Sequence, residues 1–505
     1  SRRMFLAYSP RLKRAESLIA YEKSYLDGPF INPARYKRDN LTGSYTYNLS
    51  ADQSLGVKLN LSRNDFFSSG QIPLDQVASG QLERFGFIDP NTGGRGRSGN
   101  LAAYYRKEWK DGSQLKFDGF LSRSLFDLYS NFTFFLDDQV NGDAFVQHDS
   151  RLQEGGNVQV IHPYRLFDRQ ALLIAGGDIH AFQTNVRLAP SIGRGPIGVT
   201  TNADARVTNT AGYVQQGIDL LRGHLHVDLG LRYDYFRFNV DDKIRSEFSG
   251  TRSVGRLQPK VNISYTPSDR IPATLYFNYG HGINSQNARG VVRDALTGPA
   301  IATTDFYQVG TSHTFNGVSL STALFLIDHS DEQVYVPDDG SIEFAGPSRN
   351  YGYEVKSSVQ ITRHLAFNGG VTRVMNAFFR GSFPRVYVDS SPHLVSNGGL
   401  TLENFHGFSG SLLWRHVSNY RLDGENASIR ASGLDVVDFS VNKRIGRKVE
   451  LNMAIDNLFN KRYFETQNFF ESRVRPDDLV VSRIHGTPGY PIGLTIGLTF
   501  RLSGK

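Results

Sequence analysis

The chain has 505 residues, a formal net charge of +7, 50 glycines, 24 tyrosines, 35 phenylalanines and no cysteine, and its mean hydropathy is −0.36. The absence of cysteine excludes disulfide frameworks, thiolate metal sites and cysteine nucleophiles, and no apolar run approaches the roughly 18 residues of a membrane-spanning helix. The modest charge is spread along the chain, which argues against nucleic-acid binding. A transmembrane β-barrel fits these numbers, because only alternate residues of its strands face lipid.

From the first predicted strand, near Met4–Ser9, short polar turns alternate strictly with long loops rich in Gly, Pro and Asn. The ten short turns are predicted at Lys13–Ala15, Ser50–Asp52, Lys110–Ser113, Tyr164–Arg169, Leu221–Gly223, Pro267–Arg270, Phe315–Gly317, Thr362–His364, Glu403–Gly407 and Arg444–Arg447. The longer loops include Asp27–Tyr36, Asp65–Arg97, Tyr129–Gln147, Gly282–Thr303 and Glu465–Pro488. Tight turns at one end and long loops at the other are typical of an outer-membrane barrel.

Ten turns join twenty strands, and a terminal strand makes twenty-one. The first strand must run from the outside inward, because it leads into a short turn. Bacterial single-chain barrels normally have an even number of strands, so we expect one further strand upstream of this chain. Since 22-stranded barrels are plugged, we expect an upstream plug domain as well. The fold class is therefore all-β, an antiparallel transmembrane barrel of the 22-strand type, with residues 1–505 forming the barrel domain.

The strands of this barrel show a period of two. In the segment Leu225–Tyr233, apolar residues alternate with His226, Asp228, Gly230 and Arg232, and the segments 449–456 and 492–502 alternate in the same way. Alternation over two residues is the pattern of a strand with two different faces. A lipid-facing row backed by a water-filled interior explains both faces, whereas a soluble two-sheet sandwich explains only the apolar one.

A motif near the end of the chain carries a family resemblance. It consists of Asp456, Asn457, Leu458, Phe459, Asn460, Lys461, Arg462 and Tyr463 and is followed by Pro488, Gly489 and the terminal strand. This arrangement resembles the end of the barrel in TonB-dependent outer-membrane receptors. Asn457 and Asn460 favour a turn, and Tyr463 is predicted to lie in the aromatic girdle at the membrane edge. Phe500 resembles the terminal aromatic residue of outer-membrane proteins, although five residues follow it.

Candidate ligand-binding residues lie in the long loops or at their ends, because long loops on a rigid scaffold commonly carry binding sites. They are Tyr36, Arg38, Arg84, Tyr129, Phe134, Asn287, Arg289 and Arg349. Arg289 and Arg349 could offer forked donors to an anionic chelate, with ion pairs inside the barrel, to residues such as Glu354, as the alternative. For the loops as a whole, the alternative is simple packing over the barrel mouth.

Metal and catalytic sites are not predicted. Asp137, Asp138 and Asp143 could form a calcium site, but their spacing matches no EF-hand, and a solvated acidic loop is the favoured interpretation. His281 lies where haem receptors carry a recognisable motif that is absent here. The sequence has no G-x-S-x-G, P-loop or H-E-x-x-H motif. We therefore predict a protein without a cofactor, a resident metal or enzymatic activity.

The resemblance implies a receptor that captures a scarce solute at its extracellular face and imports it with energy supplied by TonB through the plug. A ferric siderophore or another metal chelate is the expected solute. The implied location is the bacterial outer membrane, in contact with membrane lipid and lipopolysaccharide, and a monomer is expected. The alternatives are a passive substrate-selective channel, a surface adhesion or assembly barrel, and a soluble all-β lectin.

Overall fold

A computed structural model describes residues 1–268, 272–285, 287–293, 298–336 and 341–502. The first strands are β1 (Arg2–Tyr8), β2 (Ala15–Leu26), β3 (Tyr36–Asn48), β4 (Gln53–Phe67), β5 (Ile72–Pro73), β6 (Gly93–Glu108), β7 (Gln114–Ser130), β8 (Phe145–Leu166), β9 (Arg169–Ile192), β10 (Gly195–Pro196), β11 (Thr201–Leu220), β12 (Leu225–Asp242), β13 (Gly250–Tyr265) and β14 (Ala273–Ser285). The remaining strands are β15 (Ile301–Phe315), β16 (Val318–His329), β17 (Gln333–Val336), β18 (Ser341–Phe344), β19 (Ser348–Gln360), β20 (Leu365–Phe379), β21 (Leu394–Phe405), β22 (Phe408–Val417), β23 (Tyr420–Arg421), β24 (Arg430–Ala431), β25 (Leu434–Ile445), β26 (Val449–Asp456), β27 (Phe464–Ser472), β28 (Val481–Pro488) and β29 (Gly493–Phe500).

The helices are short: α1 (Leu74–Ala78), α2 (Ala288–Arg293) and two 3₁₀ turns at Leu221–Gly223 and Ser246–Phe248. Among the described residues, no helix has the length and apolar character needed to cross a membrane.

One antiparallel sheet of 22 strands forms the wall of the molecule. Strand β10 is a two-residue offshoot of β9, which leaves 21 strands in the wall itself, as predicted. Each wall strand pairs with the next wall strand along the chain. Within the described residues, β1 is paired only with β2 and β29 only with β26, so these two strands form the edges of the sheet.

Nine of the ten predicted short turns lie within the described residues, and each of them joins consecutive wall strands at the same end of the sheet. The connection between β15 and β16 shows the reason, since its two residues Asn316 and Gly317 have φ angles of 47° and 79°. These values belong to the two-residue hairpin turns whose twist matches that of the flanking strands. Residues 269–271, which include part of the turn predicted at Pro267–Arg270, lie outside the described residues.

The two faces of the wall differ as the alternation predicts. On β12, the side chains of Leu229, Leu231 and Tyr233 are 53%, 44% and 50% exposed. On the opposite face, Arg232 forms ion pairs with Asp178 at 2.6 Å and with Asp234 at 2.7 Å. An exposed apolar face and a face of paired charges match a barrel whose outside contacts lipid and whose interior contacts water or protein.

A small apolar core lies on the inner face, where the loop between β14 and β15 packs against the wall. Val291 of α2 is fully buried together with Phe238 of β12, Ala300 and Ile301. Val207 and Val254, from the neighbouring strands, pack against this cluster. The loop is therefore folded into the mouth of the barrel. Residues 286 and 294–297 of the predicted loop Gly282–Thr303 lie outside the described residues.

A second sheet joins loops from the two ends of the chain. Strands β27 and β28 form a hairpin inside the last long loop, and Gly486 and His485 of β28 pair with Ile72 and Pro73 of β5. We call this three-stranded sheet, together with α1 and the loop residues packed against it, the loop clamp. It connects the loop between β4 and β6 to the loop between β26 and β29.

Candidate functional site

The candidate site is the inner face of the wall near the long loops, and strand alternation decides which predicted residues reach it. Tyr36 and Arg38 of β3 lie on the inner face. The Tyr36 ring is 6.5 Å from the ring of Phe66, and an Arg38 Nη atom is 3.9 Å from a carboxylate oxygen of Glu22. Arg38 is 41% exposed, so its guanidinium is accessible from the interior.

Asn287 and Arg289 also lie inside the mouth, where they flank the start of α2. They border a cavity of about 440 Å³ between the inward-folded loop and the wall. Its inner-face lining includes Phe126, Gln147, Asp149, Arg151, Thr184, Val186, Leu188, Thr201 and Val207. Arg151 is held by Asp149 through hydrogen bonds of 2.6 to 2.9 Å. The cavity thus combines apolar wall residues with guanidinium and amide donors, the mixture expected of a small-molecule site.

Tyr129 and Arg349 lie on the outer face of the wall instead. The guanidinium of Arg194, from the turn between β9 and β10, is stacked between the rings of Tyr129 and Phe67, at 4.4 and 3.9 Å. Arg349 donates two hydrogen bonds, of 2.7 and 2.6 Å, to the carboxylate of Asp328.

The predicted alternative partner of Arg349 is therefore wrong. Glu354 lies 3.3 Å from Lys356 instead. The reason is strand geometry, since residues five positions apart on one strand point to opposite faces.

Arg84 and Phe134 are parts of the loop clamp. Arg84 donates hydrogen bonds to the carbonyl oxygens of Tyr463 at 2.9 Å and Gly489 at 3.3 Å. Burial lowers its pKa. Phe134 is only 2% exposed, has a φ of 65°, and lies 6.0 Å from the ring of His485. Both side chains contact other loops. For these two residues, the contacts therefore fit the alternative interpretation of the loops, which is packing over the barrel mouth.

The motif at residues 456–463 is a hydrogen-bonded turn at the start of the last loop. Asn457 and Asn460 both have a φ of 50°, as the turn prediction requires. The Asn457 amide donates to the carbonyl oxygens of Lys461 and Tyr490, each at 2.9 Å. The Asn460 side chain accepts a hydrogen bond of 3.0 Å from the amide of Ile492. The turn thus fixes where the last loop leaves the wall and where it returns.

The girdle prediction for Tyr463 is wrong. Its side chain is 6% exposed and packs over Gly489, where an added Cβ would lie 2.3 Å from the ring. Its hydroxyl donates to Glu465 at 2.9 Å. Burial and this carboxylate raise the pKa of Tyr463 to about 12. Phe500, by contrast, is exposed on the outer face beside Leu498, where a lipid-facing residue is expected.

A buried histidine in the loop clamp was not predicted from sequence. His485 is fully buried, its ring stacks on Phe470 at 3.8 Å, and its Nε2 is 2.9 Å from the Ser472 hydroxyl. Burial, aided by Arg483, lowers its pKa to about 3. The signal available in the sequence is the aromatic and β-branched content of 464–472 and 481–488, which favours a hairpin.

The acidic loop uses its carboxylates within the protein. Asp143 accepts hydrogen bonds from the Thr133 hydroxyl and the backbone amides of Leu136 and Asp138, at 2.7 to 2.8 Å. Asp138 accepts hydrogen bonds from the amides of Val140 and Asn141.

The histidine His281 on β14 is paired with a carboxylate, since its Nδ1 is 2.9 Å from an oxygen of Asp305. Within the described ranges, no group of three or more His, Asp or Glu side chains is arranged to hold a metal ion.

Solved structures with the same fold include receptors and transporters. The siderophore receptor PiuA from Acinetobacter baumannii is 14% identical with a TM-score of 0.79, and the match covers 99% of this chain and 79% of that one. The ferric citrate transporter FecA is 15% identical with a TM-score of 0.80, covering 98% and 75%. The yersiniabactin receptor FyuA from Yersinia pestis is 12% identical with a TM-score of 0.76, covering 99% and 77%. At these identities the likeness concerns the fold.

The comparison with curated protein sequences finds no match. The family model described as "TonB dependent receptor-like, beta-barrel" matches residues 16–458, which is most of the chain. This match agrees with the 22-stranded antiparallel sheet. The chain therefore belongs to the family of TonB-dependent receptor-like β-barrels.

Proposed function

We propose that the protein binds a ferric siderophore or another metal chelate at its extracellular mouth and imports it with energy supplied through TonB. In this proposal residues 1–505 form the barrel domain. A plug domain and one further strand precede this chain in the proposal. The further strand completes the barrel between the edge strands β1 and β29. The plug carries the contact with TonB, and the complete protein is a monomer.

The observation that carries the proposal is the combination of family membership with an inward-facing set of donors at the mouth. Arg38 is presented on the inner face of β3, and Arg289 borders the cavity under the inward-folded loop. Guanidinium groups recognise carboxylate and other oxyanion groups through paired hydrogen bonds. Aromatic and apolar neighbours such as Phe126 would contact the organic part of a chelate.

The proposed solute class rests on the named neighbours, which include receptors for siderophores, ferric citrate and ferric yersiniabactin. In this proposal the metal ion is part of the transported chelate. The acidic loop that contains Asp143 has a structural role in this proposal, because the carboxylate of Asp143 accepts hydrogen bonds from backbone amides.

The test is uptake of radioactive iron by cells that depend on the full-length protein. Cells carrying the protein should accumulate at least one chelate from a panel of ferric siderophores, and deletion of TonB should abolish this uptake. Arg38→Gln combined with Arg289→Gln should reduce uptake by roughly tenfold, because two charge-assisted contacts are lost. Arg349→Gln, on the outer face, is the matched control and should leave uptake unchanged.

Two other results would replace the proposal. Uptake that persists without TonB, together with ion conductance of the purified full-length protein in a planar bilayer, would identify a passive channel. Unchanged uptake of every chelate after deletion of the gene, with loss of protein binding at the cell surface, would identify an adhesion barrel.

A further inference from the structure

The loop between β14 and β15 is anchored inside the mouth by Arg252. This arginine lies on β13 directly opposite Phe238 of β12, and therefore on the inner face of the wall. Its guanidinium donates hydrogen bonds to the carbonyl oxygen of Val291 at 3.1 Å and to that of Gly298 at 3.0 Å. One side chain thus ties both the outgoing and the returning part of the loop to the wall.

Helix α2, in the outgoing part of this loop, depends on such anchors. It has six residues, and a helix of this length is not stable on its own in water. Its start is capped, because the Asn287 side chain accepts a hydrogen bond of 2.9 Å from the amide of Gly290. Val291 is fully buried in the apolar core against the wall. Arg252 adds two charge-assisted hydrogen bonds to these contacts.

The anchored helix forms one side of the solute cavity. Ala288 and Arg289, which precede Val291 in α2, border the cavity of about 440 Å³ from the loop side. Val207 of β11 borders the same cavity and also packs against the apolar core. The core and the cavity are therefore adjacent, and a shift of α2 away from the wall would open the cavity to the interior of the barrel.

The contacts that hold α2 do not require a solute. Arg252, Phe238 and Ile301 lie outside the lining of the cavity, and their partners are other residues of the loop and the wall. The position of the helix is therefore set by the chain itself.

We infer that Arg252 is a positioning residue for the solute, because it holds α2 against the wall and so keeps the cavity formed before the solute arrives. This inference rests on the proposed function, since it concerns the same cavity. A preformed cavity avoids the cost of ordering a loop during binding. Loss of the anchor should therefore weaken binding and leave the later movement of the solute through the barrel unchanged.

Uptake kinetics separate the binding step from the later movement. Cells that depend on the full-length protein receive radioactive iron as ferric citrate, a ferric tris-catecholate or a ferric tris-hydroxamate, and the chelate that the parent protein imports best is used. Arg252→Gln should raise the half-saturating concentration roughly tenfold, because two charge-assisted hydrogen bonds are lost, and should leave the maximum rate unchanged. Arg252→Lys keeps the charge without the planar fork and should give a smaller rise.

The matched control is Arg237→Gln. Arg237 is an exposed arginine that directly precedes Phe238 on β12, so it points to the outer face at the same height as Arg252. This variant should have the half-saturating concentration and the maximum rate of the parent protein.

Amide hydrogen exchange in the purified full-length protein reports on α2 directly. Peptides that cover residues 287–293 should be protected in the parent protein before any chelate is added, and their protection should fall roughly tenfold in Arg252→Gln. Val291→Ala weakens the apolar anchor instead of the polar one. It should also lower this protection and raise the half-saturating concentration.

Three results would overturn the inference. Protection of α2 that appears only after a chelate is added would show that the solute orders the loop. An unchanged half-saturating concentration in Arg252→Gln, or a fall in the maximum rate alone, would remove Arg252 from the binding step. Unchanged exchange of α2 in Arg252→Gln would remove it as an anchor.

Failure of the proposed function gives a different result, in which the parent protein imports none of the three chelates. The exchange measurement still decides whether Arg252 anchors α2 in that case. The folded barrel's resistance to unfolding by detergent without heating checks that each variant is folded.

Discussion

At the scale of single residues, position along a strand predicts more than residue type. Arg38 and Arg349 are both arginines at the loop end of a wall strand, yet Arg38 lies near Glu22 on the inner face and Arg349 pairs with Asp328 on the outer face. Counting alternate positions from an apolar row separates an outward residue such as Arg349 from an inward one such as Arg38. Tyr463 could not be placed in this way, because its environment includes Arg84, 379 residues away in the sequence.

Gly489 provides a test of that environment. Alanine at this position would place a Cβ 2.3 Å from the Tyr463 ring, so the ring must move and the contact with Arg84 is disturbed. We expect Gly489→Ala to destabilise the loop clamp by about 1 to 3 kcal/mol, measured as faster amide hydrogen exchange in β27 and β28. Gly212→Ala, where no atom lies within 4 Å of the added Cβ, is the control. Unchanged exchange in Gly489→Ala would show that the ring is free to shift.

At the scale of elements, the wall strands and short turns follow from local sequence, whereas the loop clamp does not. Each short turn is specified by residues within a few positions, as Asn316 and Gly317 show. The clamp instead pairs β5, near residue 72, with β28, near residue 485. Composition identifies such a loop as long but does not identify the strand with which it pairs. The same limit applies to α2, which packs on β12 rather than extending outward.

The loop clamp should be sensitive to acid through His485. An unfolded histidine takes up a proton near pH 6.5, whereas burial keeps His485 neutral in the folded clamp down to about pH 3. Lowering the pH through this window therefore favours the opened clamp, by up to about 1.4 kcal/mol per pH unit. Exchange protection of the β28 amides should fall between pH 6.5 and 4.5 in the parent protein. The same fall in His485→Gln would assign the acid sensitivity to other groups.

At the scale of the whole molecule, the wall is one continuous antiparallel sheet in which each strand pairs with the wall strands next to it in the sequence. Period-two alternation predicts its faces, and the strict alternation of short turns and long loops predicts its 21 strands and their direction. The family match and the fold make this chain a receptor or transporter barrel, and the fold implies the bacterial outer membrane. The composition of the loops does not identify the solute, because several of their aromatic and arginine side chains contact other loops.

The orientation of the wall's two faces is tested most directly by spin labels on β12. Residues 1–505 contain no cysteine, so single cysteines can be introduced into the wall and labelled one at a time. The full-length protein, with any cysteine outside these residues replaced by serine, is reconstituted in a lipid bilayer for the measurement. Labels at Leu229 and Leu231 should be accessible to oxygen dissolved in the lipid. Labels at Asp228 and Gly230 should be accessible to a water-soluble nickel chelate or be shielded by a plug. Leu229 and Leu231 shielded from both reagents would indicate a dry interior between two sheets and would contradict the barrel.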